Sequence, residues 1–164
     1  MIKAIHSIVE TVGKATSWLT TVLVVFVCFD VIRRYLLKDS SAWIMELEWH
    51  LFSIIFLLGA AYTLKHNKHV RVDLFYEHFS VRDKASINLI GGLLFLVPWC
   101  CILIYFSSIY AYNSFAINEG SPDPGGLPAR YLIKFTIVIG LFLLLLQAIA
   151  MILESWQTLK SESN

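Results

Sequence analysis

From residue 85 to residue 112 the chain runs for 28 residues without one charged side chain. A half-buried helix or strand of a water-soluble domain alternates polar and apolar positions, so a stretch of that length does not fit one. It fits a bilayer crossing, for which about 20 apolar helical residues, each rising about 1.5 Å, span a hydrocarbon core of about 30 Å. Three further stretches meet the same test: residues 17–37, with no charge over 15–29; residues 45–64; and residues 132–153, whose one charge is Lys134 near the start. With 57% of 164 residues apolar and 15% charged, the composition agrees, and a net charge of +1 gives no reason to expect nucleic acid as a partner. The expectation is an all-α integral membrane protein, a single membrane domain over residues 1–164 with four transmembrane helices.

The first stretch follows Lys3 and Lys14, as a secretory leader would, but Asp30, Arg33 and Arg34 come after it instead of a small-residue cleavage site. It is therefore read as a retained span. Cys28, Cys100 and Cys101 all lie inside the spans, where a thiol acts as a small apolar group, so no disulfide framework is implied.

Lys and Arg in short loops set orientation. With the N-terminus inside, the inner segments hold Lys3, Lys14, Lys65, Lys68, Arg71, Arg82, Lys84 and Lys160, eight in all, against five outside: Arg33, Arg34, Lys38, Arg130 and Lys134. The N-terminus and C-terminus are both expected to be cytoplasmic. Arg33, Arg34 and Lys38 run against the bias and have Asp39, Glu46 or Glu48 as candidate partners.

Outside the spans, Ile2, Ile5, Val9, Val12 and Thr16 recur at spacings of three and four, which predicts an N-terminal amphipathic helix lying in the membrane surface and running into the first span. Val72, Phe75, Tyr76 and Phe79, with Asp73, Glu77, His78 and Arg82 on the other face, predict a short cytoplasmic interfacial helix between spans two and three. The third span exceeds the core thickness by about 12 Å if fully helical, so it must tilt, kink or project, and Pro98 supplies a kink site. Between residues 113 and 130 the run Glu119 to Pro128 holds three prolines and three glycines and cannot continue a helix.

Ionisable residues inside a membrane are expensive and are candidates for function. Asp30 could serve as the proton site of a small exporter, but Arg33 and Arg34 sit three and four residues on and offer a plain intrahelical pair. Trp43, Glu46, His50 and Ser53 form one polar stripe on an otherwise oily helix, suited either to a subunit contact or to the helix dipole and interface. A haem-bearing redox anchor needs histidine pairs within the spans, and only His50 lies near the interior. No phosphate loop, nucleophile elbow or zinc spacing is present, and the chain is expected to be no enzyme, with no cofactor and no metal.

Residues 46–73 read ELEWHLFSIIFLLGAAYTLKHNKHVRVD, with an acid and Trp at the head of span two, then Gly59-Ala60-Ala61-Tyr62 and His69-Val70-Arg71-Val72-Asp73. This block resembles DctQ, the small membrane subunit of tripartite ATP-independent periplasmic (TRAP) transporters. A second block, Ser121-Pro122-Asp123-Pro124-Gly125-Gly126-Leu127-Pro128-Ala129-Arg130-Tyr131-Leu132-Ile133-Lys134, looks like the branch labelled mannitol/chloroaromatic. The resemblance implies a multi-pass protein of the bacterial cell inner membrane. Its implied partners are a large DctM-like elevator subunit, a DctP-like periplasmic binding protein and membrane lipid. It implies sodium-driven import of an organic acid, with substrate and ion sites on the large subunit and this chain as its scaffold. By the same analogy Gly59 allows close helix approach and His69, Val70 and Asp73 shape a cytoplasmic turn; Glu46, Trp49, His50 and Ser53 are taken with Gly59 as the candidate subunit interface, the dipole role of the stripe staying open. Asp123, Gly125, Gly126, Pro128 and Arg130 form a periplasmic loop. Independently of family, a four-helix chain with tryptophan anchors and no buried carboxylate cluster suits the fixed part of an elevator. The exporter and the redox anchor remain the alternatives.

Overall fold

The computed structural model describes residues 1–67 and 79–161. Those residues form four long helices: α1 (Ile2–Leu37), α2 (Ala42–Lys65), α3 (Val81–Ala116) and α4 (Tyr131–Ser161). Each is long and apolar enough to cross a membrane, and among the described residues there is no strand.

Every helix outruns the apolar stretch that announces it. At about 1.5 Å per residue, the 36 residues of α1 and of α3 reach about 54 Å, well beyond a core of about 30 Å. Hydropathy registers only the part that fits hydrocarbon, whereas the helix continues until something stops it. For α3 the start is set by Ser80, whose hydroxyl accepts the Asp83 N–H at 3.1 Å and donates to the Asp83 carboxylate at 2.7 Å. Arg82, expected in a separate interfacial helix, belongs to this first turn of α3. Phe79 is described, in a bend just before Ser80 and 39% exposed, whereas the other residues of that predicted helix, Val72 to His78, lie outside the described residues, as do His69, Val70 and Asp73 of the expected cytoplasmic turn.

The expected N-terminal surface helix is not a separate element. The helix runs from Ile2 to Ile32 without a break, and its stripe of Ile5, Val9 and Thr16 is buried. Ile5 and Val9 pack on Ala61 of α2 and on Leu143 and Ala150 of α4, with Val12, Tyr62 and Leu146 at the edge. The same periodicity that predicts a lipid-facing stripe is satisfied by protein. Just before Pro98, the expected kink site, the helix widens into a π-helical stretch, Gly92–Leu96. Proline has no N–H for the carbonyl of Leu94 and its ring crowds that carbonyl, and widening the turn relieves both.

Helix α4 is the axis of the bundle. It packs against α2, α3 and α1, while α1 also lies along α2, and 28% of its apolar window is buried against 11% for α1 and for α3. In lipid, apolar burial does little to drive helices together, so contact depends on close backbone approach and polar links. Small residues, Ala61, Cys100, Ala111, Ala148 and Ala150, accordingly make up most of the fully buried set, with Ile44 and Val9 beside them. The closest approach of a helix to another's backbone is at Gly140, where an added Cβ would lie 2.7 Å from the Leu57 carbonyl oxygen of α2, and Gly13 of α1 is closer still to a side chain, 2.1 Å from the Tyr62 ring of α2 by the same measure.

Polar groups clamp one end. Glu10 meets Lys65 at 2.6 Å, His66 at 3.0 Å and Lys14 at 3.3 Å, and Lys65 also donates to the His6 carbonyl at 3.1 Å. His6 lies 3.5 Å from Glu154 and 3.4 Å from Gln147. The start of α1, the end of α2 and the end of α4 therefore meet at one end, as an even number of crossings requires.

Two glycines of the sequence now separate. Gly140→Leu should force α2 and α4 apart and lower stability by about 1–3 kcal/mol, the range for overpacking, whereas Gly59→Leu should not, since no atom lies within 4 Å of its added Cβ. Thermal unfolding of the two purified variants in mild detergent checks this, and equal midpoints would refute the crossing.

Candidate partner-facing site at the loop end

The opposite end is built around a buried carboxylate. Between α3 and α4 the chain turns on three prolines and folds back on itself. The Ser121 N–H donates to the Leu127 carbonyl at 3.1 Å, the Gly126 N–H to the Asp123 carbonyl at 3.0 Å, and the Arg130 N–H to the Glu119 carbonyl at 2.8 Å. Gly125 takes a φ of 76°, which side chains resist, and Ala129 takes 62°. Into this turn reaches Glu46, from the first part of α2 and 3% exposed. Its carboxylate accepts the Ser121 hydroxyl and, at 2.5 Å, the Leu127 N–H. Gly126 makes the approach possible, because a Cβ there would sit 2.8 Å from Glu46 Oε2. The carboxylate thus replaces partners that a non-helical backbone near a membrane otherwise lacks, and the tip, Pro122 to Gly125 with Pro128, is left exposed.

A second link joins the same loop to α4. Lys134, 9% exposed, pairs with Glu119, and its ammonium lies 4.0 Å from the Tyr110 ring centre. The pair was not read from the sequence, where Lys134 stands only as a lone charge in an apolar span. The signal is that such a charge requires a counter-charge within reach, and Glu119 begins the nearest polar loop. The Lys134 ammonium holds the Glu119 carboxyl below its usual value of 4.5. A depressed carboxyl stabilises the fold above its unfolded value and loses that contribution as pH falls through the folded one. Unfolding midpoints should therefore drop more steeply below about pH 4.5 in the natural chain than in a Glu119→Gln variant; parallel curves would rule this out.

The predicted stripe is divided. Glu46 is committed to its own loop. The His50 Nδ1 lies 2.5 Å from the Glu46 carbonyl and the Ser53 hydroxyl donates to the Trp49 carbonyl at 2.7 Å, so both spend polar atoms within α2. The Trp49 ring is covered on one side by the Arg130 guanidinium, 5.6 Å from its centre, and Trp43 is 42% exposed. Gly59 is far from this group and opens on a groove of about 550 Å³ between α1 and α2, beside Gly13, Thr16, Ser17 and Ala60. Asp30 is buried and pairs with Arg34, the intrahelical pair expected, while Arg33 turns to Asp39.

Removing the Glu46 carboxylate leaves two donors of the loop without acceptors, at about 1–3 kcal/mol. Glu46→Ala should therefore speed proteolysis between residues 119 and 128 in detergent, with Glu46→Gln intermediate because one acceptor remains. Natural cleavage rates in both variants would remove the capping role.

The family model described as tripartite ATP-independent periplasmic transporters, DctQ component, matches residues 23–158. No curated protein matches the chain. The match takes in α2, α3, the proline loop and nearly all the apolar part of α4, so the buried carboxylate and the loop it holds lie within it. The chain therefore belongs to the DctQ family, the small multi-pass inner-membrane component of tripartite ATP-independent periplasmic transporters.

Proposed function

We propose that the chain is the immobile scaffold of a sodium-driven importer, holding a large DctM-like elevator subunit that carries an organic acid delivered by a DctP-like binding protein. In this reading residues 1–164 act as one membrane domain with both termini cytoplasmic. The exposed loop tip, with Asp123, Gly125 and Pro128, faces the binding protein in the periplasm, and Gly126 beneath it admits the Glu46 carboxylate. His69, Val70 and Asp73 shape the cytoplasmic turn. Gly59 and the α1–α2 face meet the large subunit, whereas Glu46, Trp49, His50, Ser53 and Arg130 act through the loop they position.

The observation that carries the reading is the state of the buried charges. Among the described residues, the buried charged side chains are Asp30, Glu46 and Lys134, and each is already engaged by Arg34, by the loop or by Glu119. A proton or solute site needs a group free to change partners; of the carboxylates, half-buried Glu48, which has one buried oxygen without a hydrogen-bond partner, fits the scaffold reading least well. Support for a scaffold rather than an exporter comes from the Asp30 pairing above all.

Co-expression of this chain with its large subunit and binding protein tests the proposal. Gly59→Leu should leave the chain inserted but cut co-purified large subunit and substrate uptake several-fold. Asp30→Asn should leave uptake within about twofold, since in this reading Asp30 takes part in no transport step and Asn keeps an oxygen that can accept from Arg34. Solute transport by this chain alone in sealed vesicles would end the scaffold reading.

A further inference from the structure

Helices α1 and α3 both run from the clamp end to the loop end, with α4 packed between them, and α4 fixes their relative heights. His6 of α1 meets Gln147 and Glu154, and Gly92 of α3 packs on Met151 and Ile152, so His6 and Gly92 stand at about the same height. Tyr110 at Lys134 and Phe115 at Tyr131 carry the alignment of α3 with α4 to the loop end. About 36 Å further along each helix, Asp30 and Ala116 are level in turn.

At matched heights the two helices show different surfaces. The first part of α1 exposes Lys3, Ser7, Thr11 and Lys14, a polar stripe at helical spacing. Level with that stripe, α3 exposes Ile90, Leu93, Leu94 and Phe95, each by 54% to 73%. Toward the loop end the relation reverses. The outward side chains of α1 stay apolar as far as Ile32, and Tyr35, Leu36 and Leu37 are exposed beyond Arg34. Helix α3 exposes Asn113 well short of that height and ends at Ala116. No plane perpendicular to the bundle axis keeps both surfaces in their proper solvent. A plane set by Lys14 leaves Ile87, Ile90, Leu93, Leu94 and Phe95 in water, and one set by Ile87 takes Ser7, Thr11 and Lys14 into lipid. A leaning bundle leaves two misfits, Trp99 at mid-belt and Ile117 past its edge.

We infer that the bundle lies obliquely in the bilayer, leaning about 40° from the normal, so that hydrocarbon covers α3 from Ile87 to Tyr112 and α1 from Ala15 to Ile32. The edge of the belt on α3 is displaced toward the clamp end by about 15–20 Å at that end and by about 9–12 Å at the other. Two interaxial distances of packed helices separate α1 from α3, about 18 Å, and these offsets over that width give the lean. The 28 charge-free residues of α3, about 42 Å of helix, then fit a core of about 30 Å. The shorter run of α1 is completed by Lys14 and Arg34, whose stems carry their charges to the phosphates. Tyr35, Leu36 and Leu37 come down to the headgroups, while the loop tip, which continues α3, stands clear of the lipid and open to a water-borne partner. The inference stands on exposed side chains at matched heights and does not rest on the scaffold reading.

Nitroxide labels on single cysteines of the full chain, reconstituted in phospholipid vesicles, test it through collisions with oxygen, which concentrates in lipid, and with a water-soluble nickel chelate. Exposed Cys28 and Cys101 are first replaced by Ala, and Cys100 is buried and stays. Ile8→Cys and Leu94→Cys stand at one height, Val27→Cys and Asn113→Cys at another, all four at exposed positions. The Leu94 label should lie about 12 Å deeper in lipid than the Ile8 label, and the Val27 label about 12 Å deeper than the Asn113 label, as a lean of about 40° across about 18 Å requires. Equal depths within each pair would overturn the proposal. So would a Leu94 label shielded from oxygen and nickel alike, because protein and not lipid would then cover it. Insertion gives a reading without labels: Leu94→Asp should cut membrane-inserted chain several-fold, whereas Ile8→Asp at the same height should leave it unchanged. Equal loss in the two would also overturn the lean.

Discussion

The crossing of α2 and α4 at Gly140 is the contact on which the rest of the bundle depends. In hydrocarbon a large apolar side chain gains little by leaving lipid for protein, so helices hold together only where their backbones come close enough for dispersion and polar contacts to add up. Gly140 against the Leu57 carbonyl supplies that approach for the central pair, and alanines at 61, 111, 148 and 150 extend it to the neighbours. Large residues are turned outward for the same reason: Trp18, Phe56 and Phe95 are each more than two-thirds exposed. An outward phenylalanine is costly in water and neutral in lipid.

Polar chemistry is confined to the two ends, where it has a different task. At one end Glu10 gathers Lys14, Lys65 and His66 and so locks α1 to α2, while His6 reaches toward α4. At the other, Glu46 on α2 and Lys134 on α4 both hold the connection between α3 and α4. Each clamp joins elements far apart in sequence, and between the clamps the helices touch through small residues. A bundle fastened at both ends resists the sliding and rocking that a transporting domain needs. That property is what the proposed role, a fixed partner for a moving subunit, would require.

How much of this was legible in the sequence differs by scale. The four spans were readable because the length of an apolar run is set by bilayer thickness, a quantity external to the chain. The Asp30–Arg34 pair was readable because it is local, four residues apart on one helix. The role of Glu46 was not, since its acceptor duty joins positions 75 and 81 residues away, and a helix-start acid has a sufficient local explanation in the dipole. The two glycines make the same point. Gly59 was singled out within a family block and Gly140 was not, yet Gly140 carries the crossing and Gly59 meets no atom of this chain. The stripe on the start of α1 was assigned to the membrane surface because periodicity reports that one face is apolar and is silent on whether lipid or protein covers it.

Helix α2 then has a double character that follows from its position. Its inner face is used up by α4, and each flank opens on a groove, one shared with α1 around Gly59 and one shared with α3 and α4 beneath Arg130. Phe56 borders both grooves and is 69% exposed, so its ring has space on either side. Whatever fills one groove restricts the rotamers that ring can take and so alters the shape of the other. The two grooves are therefore bordered by one shared side chain, Phe56, whose ring position shapes both.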